Sequence, residues 1–244
     1  MDLTEALVPE TDVGAPLVPV VGAGGKKTAL YTLANRLDRA VVTATVRIPL
    51  FDEHVARVVV TDDPAAAAES AGPDDWPLGV VPEREGDRYL GYDPDDVGAL
   101  AGSDLDAVLV KADGARMREF KAPGEDEPRL PDGTDAVLAI ASVQVVGRPL
   151  TAEYVHRPER VAALTGREVG DTVRAEDVAT VLAHPEGGFE NVPDGATVIP
   201  VLNKVDDEDW ERTARTVART IRERADVPYV ALTRLNRGEL IATV

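Results

Sequence analysis

The chain contains no cysteine, few aromatic residues and few lysines. Without cysteine there are no disulfides, no thiolate metal ligands and no cysteine nucleophile. The chain also lacks an apolar run of about eighteen residues or more, so we predict no transmembrane helix. The first ten residues lack the basic and apolar regions of a secretory signal peptide. We therefore predict a cytoplasmic protein.

Positive charge is scarce as well. The 244 residues include 44 Asp and Glu but only 26 Lys and Arg, giving a formal net charge of −18 that is spread along the chain. Such a surface disfavours nucleic acid and anionic membranes as partners. An acidic, lysine-poor chain that is rich in Ala and Val also predicts a halophilic host, whose salty cytoplasm screens the self-repulsion.

The lysines occupy unusual positions. The chain otherwise uses arginine, so a lysine suggests that a compact point charge is needed, although chance is the alternative in so small a sample. Two lie in a glycine-rich loop, and the others lie near strand ends or in a proline-bounded segment. They are Lys26, Lys27, Lys111, Lys121 and Lys204.

Apolar runs alternate with helical patterns, which predicts an α/β fold with a mostly parallel sheet flanked by helices. We expect strands over residues 17–22, 40–45, 55–61, 105–110, 136–143, 197–202 and 229–232. We expect helices over residues 26–37, after Pro64, and over 93–100 and 207–225. Residues 77–92 alternate around a Gly-Asp turn and predict a β-hairpin.

Between residues 150 and 195 the strand pattern disappears, and two short helical patterns take its place. We interpret this segment as a small helical insertion. The chain shows no flexible linker or internal repeat, so we predict one domain spanning residues 1–244, which is long enough for one large α/β domain.

The segment VVGAGGKKTAL, residues 20–30, has the composition of a phosphate-binding loop between a strand and a helix. Gly22, Gly24 and Gly25 permit the unusual dihedral angles that let backbone N–H groups surround a phosphate. Lys26 follows the last glycine and is placed to neutralise phosphate oxygens. We predict that the loop binds the phosphates of GTP or ATP; the alternative is a simple glycine turn.

The same loop departs from the usual pattern at its metal-binding position. A Ser or Thr hydroxyl normally follows the loop lysine and holds Mg²⁺, but this chain has Lys27 there. Thr28 lies one residue late. Phosphate binding is therefore a firmer expectation than magnesium-dependent chemistry, and Thr28 is the candidate metal ligand.

The segment NKVD follows the strand predicted over 197–202 and matches the base-recognition pattern of many GTP-binding proteins. A carboxylate at Asp206 can accept both donors of the guanine edge, which adenine does not offer. Asn203 would brace the loop, and the aliphatic stem of Lys204 would pack over the base. The alternative is a strand-end turn that caps the next helix.

Further candidates lie in the central segment, residues 107–131. Asp113 follows a buried strand at the carboxyl edge of the sheet, where α/β proteins bind ligands, and it is a candidate for holding Mg²⁺ through water. Lys121, Glu125 and Glu127 lie in a loop stiffened by prolines and are, with Asp113, the candidate catalytic residues. Glu125 and Glu127 are alternatively ordinary surface residues of an acidic protein.

Three other side chains are weaker candidates. Thr43 and Thr45 end the second strand near the same edge, where their hydroxyls either meet phosphate or are simply strand residues. The spacing of the histidines matches no metal cluster, and His156 alone is retained as a candidate of interest.

Several segments together resemble the YqeC-like proteins, which are accessory proteins of selenium-dependent molybdenum hydroxylases. They are VGAGGKKT, VTATVRI, KADGARMREFKAPGEDEPRLP, VHRPERV, AHPEGG and VLNKVD, in that order, and the match runs from about residue 18 to residue 205. The resemblance implies a P-loop NTPase-like fold. It also implies a role in maturing a selenium-containing molybdoenzyme, with a molybdenum hydroxylase or its maturation proteins as partners.

The chain departs from the family pattern at two positions. Lys27 replaces a Thr or Ser, and Lys111 replaces the glutamate of a Glu-Ala-Asp-Gly segment. Two ammoniums near the terminal phosphate would carry about the charge of one Mg²⁺. We therefore expect phosphate binding with weakened magnesium dependence and slow or absent turnover. Alternatively, Thr28 takes the hydroxyl's role and Lys111 turns away to pair with a carboxylate.

Three functional readings remain open from the sequence. The first is an accessory enzyme that hydrolyses GTP or ATP or transfers its phosphoryl group. The second is a nucleotide-binding regulator or scaffold without turnover. The third is a small-molecule kinase in which the Lys121 loop holds the acceptor.

Overall fold

A nine-stranded sheet forms the centre of the computed structural model, which describes residues 1–11 and 14–244. Its strand order is β9-β8-β7-β6-β1-β5-β2-β4-β3. Only β9 is antiparallel to its neighbour, so the predicted mostly parallel α/β fold is confirmed. The strands β1 to β9 are Leu17–Gly22, Ala40–Ala44, Arg57–Val60, Leu78–Val81, Ala107–Lys111, Ala136–Ser142, Thr197–Asn203, Ala231–Arg234 and Glu239–Thr243.

Seven α-helices accompany the sheet in the described part of the chain, and none of them is both long and apolar enough to cross a membrane. The helices α1 to α7 are Leu3–Leu7, Lys26–Ala34, Pro64–Glu69, Pro94–Gly98, Pro158–Thr165, Ala175–Leu182 and Glu208–Arg224. Short 3₁₀ turns cover Asp52–His54, Pro73–Asp75, Ala99–Gly102, Val143–Val145 and Leu235–Arg237. There are two small sheets. In one, Arg88–Tyr89 lies between Ile48–Pro49 and Arg84–Glu85 and pairs with both, and in the other Phe120–Lys121 pairs with Val155–His156.

Helices cover both faces of the sheet because its strands are apolar on both sides. Alternate residues of β6 belong to two different core clusters: Val137 packs in the cluster that contains Val217 of α7, and Leu138 packs in the cluster that contains Leu30 of α2. A strand buried on both faces reads as a continuous apolar run, which is why the pattern predicted these strands. Helix α7 begins where the Asp207 carboxylate accepts the Trp210 N–H, and it buries Ala214, Val217, Ala218 and Ile221.

The hairpin predicted over residues 77–92 is wrong in its first half. Leu78–Val81 is a fully buried strand, β4, that pairs in parallel with β2 and β3 inside the main sheet. Only Arg84–Glu85 and Arg88–Tyr89 pair as a hairpin. A short apolar segment beside a Gly-Asp turn satisfies both readings, and its burial among non-local strands decides between them.

Several boundaries also differ from the expectations. Helix α2 ends at Ala34, three residues early, and the strand expected over 229–232 lies at Ala231–Arg234. Strand β9 and helix α1 were not predicted. The segment 150–195 contains the two expected helices, α5 and α6, and also a two-residue strand, Val155–His156, that the sequence did not indicate.

Candidate functional site

A cleft of about 880 Å³ opens at the carboxyl edge of the sheet, where β1 passes through the glycine loop into α2. Within residues 1–11 and 14–244, eighteen residues line this cleft. Two are glutamates, and eight are cations in a chain of net charge −18. The eight are Lys26, Lys27, Arg47, Arg88, Lys111, Arg116, Arg118 and Lys204.

The glycine loop adopts backbone conformations that only glycine takes without strain. Gly22, Gly24 and Gly25 have φ angles of +90°, +82° and +151°. A Cβ on Gly24 would lie 2.5 Å from the Ser142 nitrogen and 2.7 Å from the Glu119 carbonyl oxygen. The sequence prediction of a tight strand-to-helix loop with required glycines is therefore confirmed in its geometry.

The loop uses some of its N–H groups internally. The Gly22 N–H donates to Asp113 Oδ2 at 2.8 Å, and the Gly24 N–H donates to the Arg118 carbonyl at 2.9 Å. Helix α2 begins after Gly25 without a side-chain cap. The first N–H groups of a helix lack intrahelical acceptors, and they carry the positive end of the helix dipole. The start of α2, at Lys26 and Lys27, is therefore suited to an anion.

Lys26 is 6% exposed, and its ammonium turns back toward the sheet. It donates to the Gly22 carbonyl and lies 2.9 Å from Asp113 Oδ1, which accepts no well-aligned hydrogen bond. Burial lowers the pKa of Lys26, and the nearby Lys121 adds to this, while Asp113 opposes it. Lys26 also lines the cleft, so its ammonium lies between the buried Asp113 carboxylate and the place where an anion would bind.

A buried network of charges supports the loop. Lys121 donates to Glu127 Oε2 at 2.7 Å and to the Gly114 carbonyl at 2.7 Å, and its ammonium lies 2.9 Å from Asp113 Oδ2. Glu127 also accepts from Arg157 Nη1 at 2.8 Å. Through Asp113 and Glu127, the network thus connects the glycine loop to Arg157, the residue that precedes helix α5.

The pKa values of the network follow from the opposition of burial and ion pairing. Burial alone would raise the pKa of Asp113, but Lys26 and Lys121 outweigh it and lower that pKa. Burial likewise opposes ionisation of Glu127, whereas Lys121 and Arg157 bring its pKa down to about 2. Both carboxylates are therefore ionised near neutral pH and balance the buried cations.

Lys111 ends β5 and lines the cleft at 7% exposure. Its ammonium donates to the Arg47 carbonyl at 2.9 Å and forms no ion pair in the described ranges. The alternative, in which Lys111 turns away to pair with a carboxylate, is therefore not observed. Burial, with Lys26 nearby, lowers its pKa to about 8. Lys27 and Thr28 are half-buried at the start of α2 and line the same cleft.

Asn203, at the end of β7, is 4% exposed and braces the glycine loop as expected. Its amide donates to the Gly24 carbonyl at 2.8 Å, and its oxygen accepts the Leu235 N–H at 3.0 Å. A Cβ on Gly25 would lie 2.3 Å from Asn203 Nδ2. The two segments that the sequence singled out, 20–30 and 203–206, are thus in direct contact.

The other two NKVD residues have different surroundings. The Lys204 ammonium lies 2.6 Å and 2.7 Å from the two oxygens of Glu119, and both residues line the cleft. Asp206 lies outside the lining. Its carboxylate accepts from Gln144 Nε2 at 2.7 Å, and Oδ1 lies 3.6 Å from Arg234 Nε. Its side chain is 45% exposed, so part of the carboxylate faces solvent.

Some candidates lie apart from the cleft. The side chain of Glu125 is 87% exposed, and its carboxylate lies 3.5 Å from Arg160. The Thr43 hydroxyl, in β2, donates to the Val80 carbonyl at 2.8 Å, and the Thr45 hydroxyl, just past β2, donates to the Arg129 carbonyl at 2.6 Å, so both hydroxyls are used within the protein. His156 pairs in register with Lys121, and burial together with Arg157 lowers its pKa to about 4.

Asp113, one of the two predicted magnesium ligands, is already engaged by cations. Both of its oxygens face ammonium groups, and Oδ2 also accepts the Gly22 N–H. Asp113 could hold Mg²⁺ only if Lys26 or Lys121 moved, whereas Thr28 lines the cleft and stays a candidate ligand.

Sequence reasoning missed several cationic residues of the cleft. Arg47 follows β2, Arg88 lies in the short hairpin, and Arg116 and Arg118 lie in the loop after β5. Arg116 and the 80% exposed Met117 both have positive φ, 45° and 63°, which is strained backbone beside a candidate site. A lone arginine matches no motif, so the sequence carried no specific signal for these residues.

The arrangement is therefore a basic cleft beside a closely packed glycine loop, which is suited to an anionic ligand. Two comparisons with known proteins identify the family. Residues 18–159 match the family model described as YqeC protein. The chain is also 31% identical over 204 residues to the uncharacterized protein YqeC of Escherichia coli strain K12, covering 79% of each chain. The chain belongs to the YqeC protein family.

Proposed function

We propose that this protein binds a nucleoside triphosphate in the basic cleft, with the phosphates at the glycine loop. One observation carries the proposal: the cations of an acidic protein are gathered where the first N–H groups of α2 face the cleft. A concave site with converging cations concentrates anions and contributes charge-assisted hydrogen bonds. Its volume of about 880 Å³ lies within the range of small-molecule sites.

The strand order gives the nucleotide a direction. Lys204 follows β7, the glycine loop follows β1, and Lys111 ends β5, in that order along the edge of the sheet. A nucleotide whose base lies near Lys204 would therefore extend its terminal phosphate toward Lys111. Asp206 would favour GTP if its exposed oxygen reaches the guanine edge; otherwise GTP and ATP bind alike.

The proposed site works without an ordinary magnesium centre. Lys27 and Lys111 supply two cations at the terminal phosphate, and a bound phosphate would also stabilise the buried ammonium of Lys111. The carboxylate of Asp113 is engaged by ammonium groups and neutralises them. The first candidate function is an NTPase or phosphotransferase. These contacts support a second candidate, a nucleotide-binding regulator with slow or absent turnover.

The cellular process follows from the resemblance to accessory proteins of selenium-dependent molybdenum hydroxylases. In our proposal the nucleotide-bound protein assists maturation of such an enzyme, and a molybdenum hydroxylase or one of its maturation proteins is the partner. The acidic surface outside the cleft leaves nucleic acid and anionic membrane disfavoured as partners.

The test is nucleotide binding in high-salt buffer, measured by titration calorimetry with GTP and with ATP. Lys27→Ala removes a cleft cation that makes no ion pair among the described residues, and it should weaken binding about tenfold or more. Arg219→Ala, on an exposed position of α7, is the matched control and should leave affinity unchanged. No binding by the unaltered protein, or equal loss in both variants, would reject the proposal.

The same titration with a chelator in place of Mg²⁺ separates the candidates. Affinity that is indifferent to the chelator supports the lysine-based site. Loss of most affinity on chelation would restore an ordinary magnesium site at Thr28 and Asp113. Release of phosphate in a single-turnover assay would distinguish an NTPase from a regulator.

A further inference from the structure

One end of the cleft extends past the place of the terminal phosphate. The sheet continues from β5 to β2, so the cleft beyond Lys111 is bounded by the segment that follows β2. We call this boundary the distal wall and define it as Val46, Arg47, Pro49 and Arg88. The glycine loop lies on the other side of Lys111, next to β1.

The distal wall is held in place by backbone contacts. Pro49 pairs in register with Arg88, which fixes the short hairpin against the segment after β2. The buried ammonium of Lys111 donates to the Arg47 carbonyl at 2.9 Å and so fastens the wall to the edge of the sheet. The wall is therefore a built part of the cleft rather than a loose surface loop.

Both arginines of the wall are available to a ligand. Arg47 lies 2.7 Å from Glu85, but the side chains of this pair are 62% and 55% exposed. Arg88 lies 4.0 Å from Asp87, and these side chains are 51% and 92% exposed. Exposed ion pairs contribute little, so a ligand phosphate can replace these carboxylates at small cost. Lys111, which is buried, has no carboxylate to release in the described ranges.

We propose that the distal wall binds a second ligand, a phosphate-bearing small molecule, beside the terminal phosphate of the nucleotide. The position of the second ligand beside a nucleotide rests on the proposed function, whereas the binding of a phosphate by the wall does not. Arg47 and Arg88 would hold the phosphate of the second ligand, and Lys111 lies between the two anions. A phosphate dianion suits this site because several cations converge on it, one of them desolvated.

A small-molecule kinase would need a site for an acceptor substrate, and the sequence placed that site at the Lys121 loop. The Lys121 ammonium, however, is already surrounded by Asp113, Glu127 and the Gly114 carbonyl. The distal wall offers cations on the open side of the cleft instead. A two-ligand cleft also accounts for more arginines than a single triphosphate at the glycine loop needs.

The experiment titrates inorganic phosphate into the protein saturated with a non-hydrolysable nucleoside triphosphate, in high-salt buffer, by calorimetry. The double variant Arg47→Ala/Arg88→Ala removes the wall's guanidinium groups. Arg84→Ala removes an exposed arginine of the same hairpin that does not line the cleft and serves as the matched control. All substituted side chains are exposed, so folding should be retained.

We expect phosphate to bind the nucleotide-saturated protein and to bind the double variant about tenfold more weakly, a larger loss than the same variant shows for the nucleotide, with Arg84→Ala behaving as the unaltered protein. Phosphate that only competes with nucleotide, or equal affinity in the double variant and the control, would overturn the inference. If no nucleotide binds, the proposed function fails, and the wall is then tested by titrating phosphate into the protein without nucleotide. Phosphate binding that is weakened by the double variant but not by Lys27→Ala would support the wall. Phosphate binding that is weakened by Lys27→Ala but not by the double variant would overturn it.

Discussion

At the scale of single residues, the site depends on a buried network in which positive and negative side chains alternate. Lys26, Asp113, Lys121 and Glu127 form a continuous series of ion pairs, and Asp113 and Lys121 are almost fully buried. A buried pair that is complete adds little net stability, because desolvation offsets the attraction. Removing one member is costly, because the remaining charges lose their partner inside the protein.

Asp113→Asn should therefore destabilise the protein by about 3–5 kcal/mol, since it leaves Lys26 and Lys121 facing each other without the carboxylate. Denaturant unfolding at matched salt measures the change. Asp104→Asn is the control, because the side chain of Asp104 is 97% exposed and its pair with Arg39 is at the surface. Similar stabilities of the two variants would contradict the role assigned to the buried network.

His156 makes a separate contribution to the pH dependence of stability. Its pKa falls from 6.5 to about 4 in the folded protein, mainly through burial and the neighbouring Arg157. Between these values the unfolded chain binds the proton and the folded protein does not, so stability rises with pH and is lost as pH falls from 6.5 toward 4. His156→Gln should flatten part of this slope in unfolding curves measured across this pH range, and an unchanged slope would contradict the assignment.

At the scale of elements, the glycine loop is fixed by three neighbours: the end of β6, the end of β7 and the segment after β5. Ser142, Asn203 and Glu119 contact the loop or leave no space beside it. The sequence predicted the loop and the strands on either side, because required glycines and continuous apolar runs are local signals. The clamp on the loop comes from residues more than 90 positions away; the NKVD pattern singled out Asn203, but no local pattern links Ser142 or Glu119 to the loop.

Gly24→Ala should therefore impair both stability and nucleotide binding. Positive φ alone costs about 1–2 kcal/mol for alanine, and Gly147 (φ +86°) has nearly the same φ as Gly24 (φ +82°) but open space around it. Gly147→Ala is thus the matched control for strain. We expect the Gly24 variant to be the less stable in denaturant unfolding and to lose binding. Equal effects of both substitutions would show that close packing of the loop is unimportant.

The sequence and the structure diverge most where burial decides between two local readings. Leu78–Val81 resembles half of a hairpin and is a parallel strand, since its partners come from distant parts of the chain. In the same way, Glu125 and Glu127 are equivalent in the sequence, yet only Glu127 reaches Lys121. The arginines of the cleft were missed because a lone arginine has no motif; only the fold gathers them.

At the scale of the whole molecule, charge is divided between an acidic exterior and a basic cleft. The net charge of −18 destabilises the folded state through self-repulsion, and salt screens it. We expect the melting temperature to rise when potassium chloride increases from about 0.1 M to about 1 M, as the Debye length falls from about 10 Å to about 3 Å. A melting temperature that is flat or falls with salt, measured by calorimetry, would contradict this. The halophilic host remains a prediction.

The division of charge also affects how fast a nucleotide can arrive. At a distance, a triphosphate experiences the repulsion of the whole acidic exterior; only within the cleft do the cations dominate. Salt weakens the long-range repulsion first, because it screens interactions that exceed the Debye length. The encounter rate should therefore increase with ionic strength, opposite to proteins whose overall charge attracts their ligand. A protein built this way would capture its ligand most readily under the salt-rich conditions that stabilise its fold.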